Sequence, residues 1–202
     1  MDLIVATKNK KKFAEIKEIL KDLKLNLVSL ADIQQPPRII ENGQTFQENA
    51  VIKARKLALF TGKLSLGEDS GLCVEALGGA PGVYSSRFSG KDKSDAKNNQ
   101  KVLKLLEGLP LSKRKAHYVC AVALADKSGL VGVVEGRCHG VIGFALKGHS
   151  GFGYDPLFII PKYKKTFAQL GEKIKHKMSH RYHALEKARK IIKKYIVNQK
   201  VS

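Results

Sequence analysis

The sequence predicts an α/β protein built on a mixed sheet, and three observations carry that prediction. Short apolar runs of strand length alternate with stretches whose apolar residues recur at helical spacing. Two apolar runs flank Asp126-Lys127-Ser128-Gly129, a hairpin signal. Strand-helix alternation beside a hairpin calls for parallel and antiparallel pairing in one sheet.

Leu3-Ile4-Val5-Ala6 reads as a buried strand. From about Lys10 to Leu23, Phe13, Ile16, Leu20 and Leu23 fall on one helical stripe. Leu25 to Leu30 reads as a second strand, and Gln34-Gln35-Pro36-Pro37 as a loop. A long helix is predicted from Thr45 to Phe60, with Thr45 as N-cap and Glu48 at capping-box spacing. Leu64 to Leu66 leads into an acidic turn at Glu68-Asp69. Gly78-Gly79-Ala80-Pro81-Gly82 is a turn-rich loop. Ala116 to Ala125 and Leu130 to Val134 are the hairpin strands, and Leu157 to Ile160 another short strand. A C-terminal helix carries Leu185, Ala188, Ile192 and Tyr195 on one face and lysines on the other. No internal repeat or low-complexity linker interrupts this order.

A chain of 202 residues with 43% hydrophobic and 27% charged residues reads as a single domain, 1–202, large enough to bury a core. No apolar run reaches the ~18 residues of a membrane span. The N-terminus has an early acid and no basic segment, which argues against a signal peptide. Cys73, Cys120 and Cys138 are far apart, form no CxxC pair and suit a reduced cytoplasm. The net charge is +19, and residues 161–202 hold 13 Lys and Arg against 2 Glu. Such a field attracts polyanions. The excess is mostly Lys and aromatic residues are only 7%, which weighs against a dedicated nucleic-acid surface.

Several segments point to chemistry. Ala6-Thr7-Lys8-Asn9-Lys10-Lys11-Lys12 follows a strand and opens a helix, where backbone N–H groups and the helix dipole favour an anion. It lacks the Gly-Lys-Ser/Thr of a P-loop. Glu41, Glu68 and Asp69 are oxygen donors suited to a hard cation such as Mg²⁺, and an acid at a strand end also suits a general base. The six histidines show no zinc spacing. Gly151-Phe152-Gly153-Tyr154-Asp155-Pro156 offers a flat apolar face flanked by glycines, and Ser179-His180-Arg181 offers fixed donors. Together they suit a purine base.

Ala6-Thr7-x-Asn9-x-x-Lys12-x-x-Glu15, Glu41-x-Gly43-x-Thr45-Phe46-x-Glu48-Asn49-Ala50, Glu68-Asp69-Ser70-Gly71-Leu72, Gly78-Gly79-Ala80-Pro81-Gly82-Val83-Tyr84-Ser85-Ser86-Arg87, Gly151 to Pro156 and Ser179 to Arg181 together resemble the inosine/xanthosine triphosphate pyrophosphatases. The resemblance runs from Ile4 to about Ala188. It implies an elongated mixed sheet with flanking helices, two lobes around a cleft, a homodimer and a need for Mg²⁺. It implies hydrolysis of deaminated purine nucleoside triphosphates (ITP, dITP, XTP) to monophosphate and pyrophosphate. By the same resemblance Thr7, Lys8, Asn9, Lys10, Lys11, Lys12, Lys53 and Ser70 serve the phosphates. Phe152, Gly153, Tyr154, Asp155, Lys175, His180 and Arg181 supply base and phosphate contacts. Asp69 is the general base, with Glu41, Glu68 and Asp69 toward the metal. Ile40, before Glu41, leaves one acid fewer than some relatives carry. Two other readings stay open: a pyrophosphatase of modified pyrimidine nucleotides, and a nucleic-acid-binding protein.

Overall fold

The computed structural model describes residues 1–199. Its strands are β1 (Asp2–Val5), β2 (Asn26–Ser29), β3 (Ser65–Val74), β4 (Lys115–Asp126), β5 (Gly129–Ile142), β6 (Phe158–Ile160) and β7 (Lys165–Thr166). Its α-helices are α1 (Lys10–Leu20), α2 (Phe46–Thr61), α3 (Asp95–Leu105), α4 (Phe167–Leu170), α5 (Glu172–Lys175) and α6 (His180–Gln199). The seven strands form one sheet in the order β2-β1-β3-β4-β5-β6-β7. β1 pairs in parallel with β2 and β3, and β6 pairs antiparallel with β5 and β7, so the sheet is mixed as the sequence predicts.

The chain falls into two units. One comprises Met1–Asp69, Cys120–Gly136 and Arg181–Ser202, and the other Ser70–Val119 and Arg137–His180. Each has its own core. In the first, Leu3 and Val5 of β1, Ile16 and Leu20 of α1, and Leu185, Ala188 and Ile192 of α6 pack with Leu66 and Val122. The predicted stripes of both helices are therefore the buried faces. In the second, Leu72, Val102, Leu106, Tyr118, Ile142, Leu157, Phe158 and Phe167 pack together.

The α2 cap forms on Thr45, whose side chain accepts from the Glu48 N–H at 3.1 Å. The Glu48 carboxylate accepts from the Gln44 N–H at 2.6 Å, one residue before the position a capping box uses. α2 ends at Gly62, a left-handed cap with φ 67°.

The acidic turn expected at Glu68-Asp69 is not a turn. Both residues lie inside β3, a continuous strand of 10 residues that runs on through Ser70 and Gly71. Partner cations make this possible, because a buried carboxylate is tolerated mid-strand when it is paired. Gly67 makes the strand's path possible on the other side. A Cβ there would lie 2.0 Å from the Ala50 carbonyl oxygen and 2.6 Å from the Ala54 nitrogen, so α2 backbone packs directly against β3.

α3 is not among the elements the sequence predicts. Its segment Asp95 to Leu105 is mostly polar and shows few apolar positions, although Ser94 caps it by accepting from the Lys97 N–H. β5 extends to Ile142, beyond the predicted end at Val134, through a Glu-Gly-Arg-Cys-His-Gly stretch that lacks an apolar run.

Candidate active site

In the first unit, β3, α2 and the loop before α2 bring four polar side chains together. Lys53 of α2 is buried, and its ammonium donates to Asp69 Oδ1 at 3.0 Å and to Glu41 Oε2 at 2.7 Å. Asn49, one helical turn earlier, donates to Asp69 Oδ2 at 3.3 Å and accepts from the Gly43 N–H at 2.9 Å. The i, i+4 spacing of Asn49 and Lys53 places both on the face that meets β3. Burial pushes the Asp69 carboxyl above its usual range, and the opposing pull of Lys53 and Lys12 does not cancel it. Burial alone would lower the Lys53 ammonium, but Asp69 and Glu41 outweigh it and hold its pKa up, so the ammonium stays charged.

Glu68 is also buried. Its Oε1 accepts from Arg181 at 3.1 Å and from the Cys120 thiol at 3.4 Å, and Lys12 Nζ lies 3.2 Å from Oε2. Arg181, 1% exposed, donates through its other terminal nitrogen to Glu15 Oε2. Burial would lower the arginine pKa, but Glu68 and Glu15 more than offset it, so the guanidinium is locked in its charged form. Burial and the nearby Glu68 push the Cys120 thiol well up, which keeps it a donor.

At the start of α1, Asn9 is the N-cap and accepts from the Lys12 N–H at 3.1 Å, while Thr7 Oγ1 accepts from the Asn9 N–H at 3.1 Å. Lys8, Lys10 and Lys11 are exposed, whereas Lys12 turns inward to Glu68. Ser70 is half-buried on β3.

The second unit holds the other group. Asp155 is 2% exposed, and its Oδ2 accepts from the Phe152 N–H at 2.9 Å and from Lys175 Nζ at 2.7 Å. The same ammonium lies 4.3 Å from the centroid of the Phe152 ring. Gly151 is required here. It has φ 80°, and a Cβ would sit 2.1 Å from Asp155 Oδ2. Gly153 is held at both ends by α3: its N–H donates to Asp95 Oδ2 at 2.8 Å and its carbonyl accepts from Asn99 at 2.8 Å. Tyr154 is buried, and its hydroxyl donates to the Ser85 carbonyl at 2.7 Å. His180 opens α6, buried, with its ring stacked on Tyr118.

Each candidate metal ligand is ion-paired in this structure, Glu41 and Asp69 with Lys53 and Glu68 with Arg181 and Lys12. Glu41, Glu68 and Asp69 offer only carboxylate oxygens, and Mg²⁺ is held by one or two such groups with waters and substrate phosphates. Among the described residues no three metal-binding side chains form a ready cage.

Sequence reasoning missed Glu15, Asn49, Asp95, Asn99, Tyr118 and Cys120 as partners of the chosen residues. Glu15 carried a signal: it is an acid beside Ile16, within a buried helix stripe, where an unpaired charge would be costly. Tyr118 and Cys120 sit in an apolar strand run and look like ordinary core.

The Ham1 family profile matches residues 3–191. A dITP/XTP pyrophosphatase of Desulforamulus reducens is 48% identical over 201 residues, covering 100% of both chains. One of Exiguobacterium sibiricum is 48% identical over 187 residues, covering 93% of this chain and 94% of its own. The Staphylococcus aureus Ham1 protein superposes with a TM-score of 0.86 at 33% identity, covering 96% of this chain and 100% of its own. A Coxiella burnetii HAM1 protein gives 0.87 at 39% identity, covering 96% and 99%. With the mixed sheet, the paired carboxylates of β3 and full-length similarity in agreement, the chain belongs to the Ham1 family.

Proposed function

We propose that this protein is a nucleoside-triphosphate pyrophosphatase, a single functional domain over residues 1–202. It hydrolyses ITP, dITP and XTP at the α–β anhydride, giving the monophosphate and pyrophosphate and keeping aberrant purines out of DNA and RNA. The observation that carries this reading is Asp69: a buried carboxyl with a raised pKa, oriented by Lys53 and Asn49 beside a second acid on the same strand. A base poised above the ordinary carboxylate range takes a proton from water more readily. Lys53 and Asn49 fix which face of the carboxylate receives it. Lys12, with the exposed Lys8, Lys10 and Lys11, the Thr7 and Asn9 side chains at the α1 start, and Ser70, binds the triphosphate. Glu41, Glu68 and Asp69 would hold Mg²⁺, which would supply neutralisation of phosphate charge.

The base is read by the second group, with Phe152 as the flat face and Gly153, Tyr154 and Asp155 shaping the loop. Lys175 and His180 provide donors, whereas Arg181, bound to Glu15 and Glu68 in the first unit, is a base contact by the sequence motif alone. Hypoxanthine and xanthine present a 6-oxo acceptor to such donors, whereas adenine presents a 6-amino donor. Buried donors left unpaired give discrimination of roughly 10²–10⁵-fold. The enzyme works as a cytoplasmic homodimer, without a specific nucleic-acid partner and without a membrane.

Pyrophosphate release with Mg²⁺ from ITP, XTP, GTP, ATP, UTP and dTTP tests the reading. ITP and XTP are expected to exceed ATP, UTP and dTTP by at least ~10²-fold in kcat/KM. Equal turnover of UTP or dTTP would move the substrate to pyrimidines.

The basic C-terminus is not expected to serve catalysis. Lys190, Lys193 and Lys194 are exposed on α6, away from its buried Leu185, Ala188 and Ile192. Changing all three to Gln should leave ITP hydrolysis within about 2-fold, as is usual for surface positions away from a site. Any RNA or DNA affinity of the parent should be non-specific and fall steeply with salt. Sequence-selective binding that persists at ~200 mM salt would revive the nucleic-acid reading.

A further inference from the structure

Tyr118 lies on β4, 6% exposed, against Phe158 with ring centroids 4.7 Å apart. It also touches both segments to which base recognition has been assigned. Its ring lies parallel to that of His180, with 10° between planes and 4.5 Å between centroids. Its hydroxyl is 3.5 Å from Asp155 Oδ1, on the carboxylate whose other oxygen holds the Phe152 N–H and Lys175.

An imidazole turns easily about its last side-chain bond, since that torsion is broad. A hydrogen bond weakens steeply as the donor angle departs from linear, so a ring free to turn is a poor reader. Stacked on Tyr118, the His180 ring can turn only by losing that contact. The hydroxyl contact to Asp155 is long for an O–H···O bond, so the ring, not the hydroxyl, carries most of the effect.

We propose that Tyr118 is a positioning residue for base selectivity: its ring sets the plane of the His180 imidazole. The proposal rests on the reading that the Phe152 loop and His180 recognise the base.

The test measures kcat and KM for ITP and ATP in Y118L, Y118F, F152A and H180A, with thermal unfolding of each. Y118L is expected to raise KM for ITP about 10-fold with kcat within about 3-fold, and to narrow the ITP-to-ATP ratio in kcat/KM. Y118F keeps the ring and should restore parent values to within about 2-fold. Should Y118L fail to fold, Y118M fills the apolar space without a flat face and gives the same comparison. An equal fall in kcat for both nucleotides at unchanged KM would make Tyr118 a core residue only. Selectivity lost in F152A and H180A but kept in the Tyr118 variants would overturn this proposal alone. Selectivity unchanged in F152A and H180A would overturn the base-site reading beneath it.

Discussion

Asp69→Asn is expected to lower kcat for ITP by roughly 10²–10⁴-fold, the usual worth of a general base, while nucleotide binding persists. A variant keeping more than about a tenth of parental kcat, a barrier change under ~1.4 kcal/mol, would remove Asp69 from that role. Stability should move the other way. The folded Asp69 has a raised pKa, so the folded state binds its proton more tightly than the unfolded chain does. Ionising it therefore costs stability as pH rises from the ordinary carboxylate range through the raised value. Asn carries no such cost, and Lys53 keeps Glu41 at 2.7 Å, so the variant should melt at or above the parent temperature near neutral pH. The same raised pKa places the acid limb of the parent's kcat profile above the ~3.9 of a free aspartate, with activity lost as pH falls through it. A limb at or below that value would contradict the assignment.

Arg181→Ala carries the largest expected loss of stability. The guanidinium, 1% exposed, is bound by both Glu15 and Glu68, whose side chains are 8% and 1% exposed. Its removal leaves two carboxylates buried beside each other. Breaking such a pair costs about 3–5 kcal/mol. At 2–4 °C per kcal/mol for a chain of this size, melting should fall by roughly 6–20 °C. Arg181→Lys keeps the charge but not the two-pronged geometry and should fall between. Adding Glu15→Gln to the alanine variant should recover part of the loss, and a loss below ~1 kcal/mol would show that the cluster is not tightly coupled. Kinetics of the surviving fraction divide its roles. A narrowed ITP-to-ATP ratio places Arg181 on the base, and an equal fall for both nucleotides places it on Glu68 and the phosphates.

Much of this architecture was legible in the residues. β1, α1 and α6 announce themselves because each buries one apolar stripe or run, and periodicity reports burial. The Thr45 cap was legible because its chemistry is local. α3 was not, since its buried face sets Asn98 and Asn99 beside Val102, and its contribution to Gly153 comes from Asp95 and Asn99, two polar side chains. The Glu68-Asp69 strand was misread as a turn because acids signal solvent unless their partners are known. Those partners, Arg181 and Lys53, stand 113 and 16 residues away in sequence. The motifs singled out the acids. Only the fold shows that Asp69 is oriented by Asn49 and Lys53, that Glu68 is bound to Arg181, Cys120 and Lys12, and that His180 leans on a tyrosine.

The absent side chain at Gly67 bears on how this sequence can drift. Glu41 has a half-exposed side chain with room to rearrange. At Gly67 the smallest replacement, a single methyl group, would overlap the backbone of the helix that carries both Asn49 and Lys53. Alanine is the mildest change at most sites, yet here it would push away both residues that aim Asp69. The narrowest gate on sequence change near the carboxylates is thus a position with no chemistry of its own, and a lineage that preserved every charged group could still lose the geometry there.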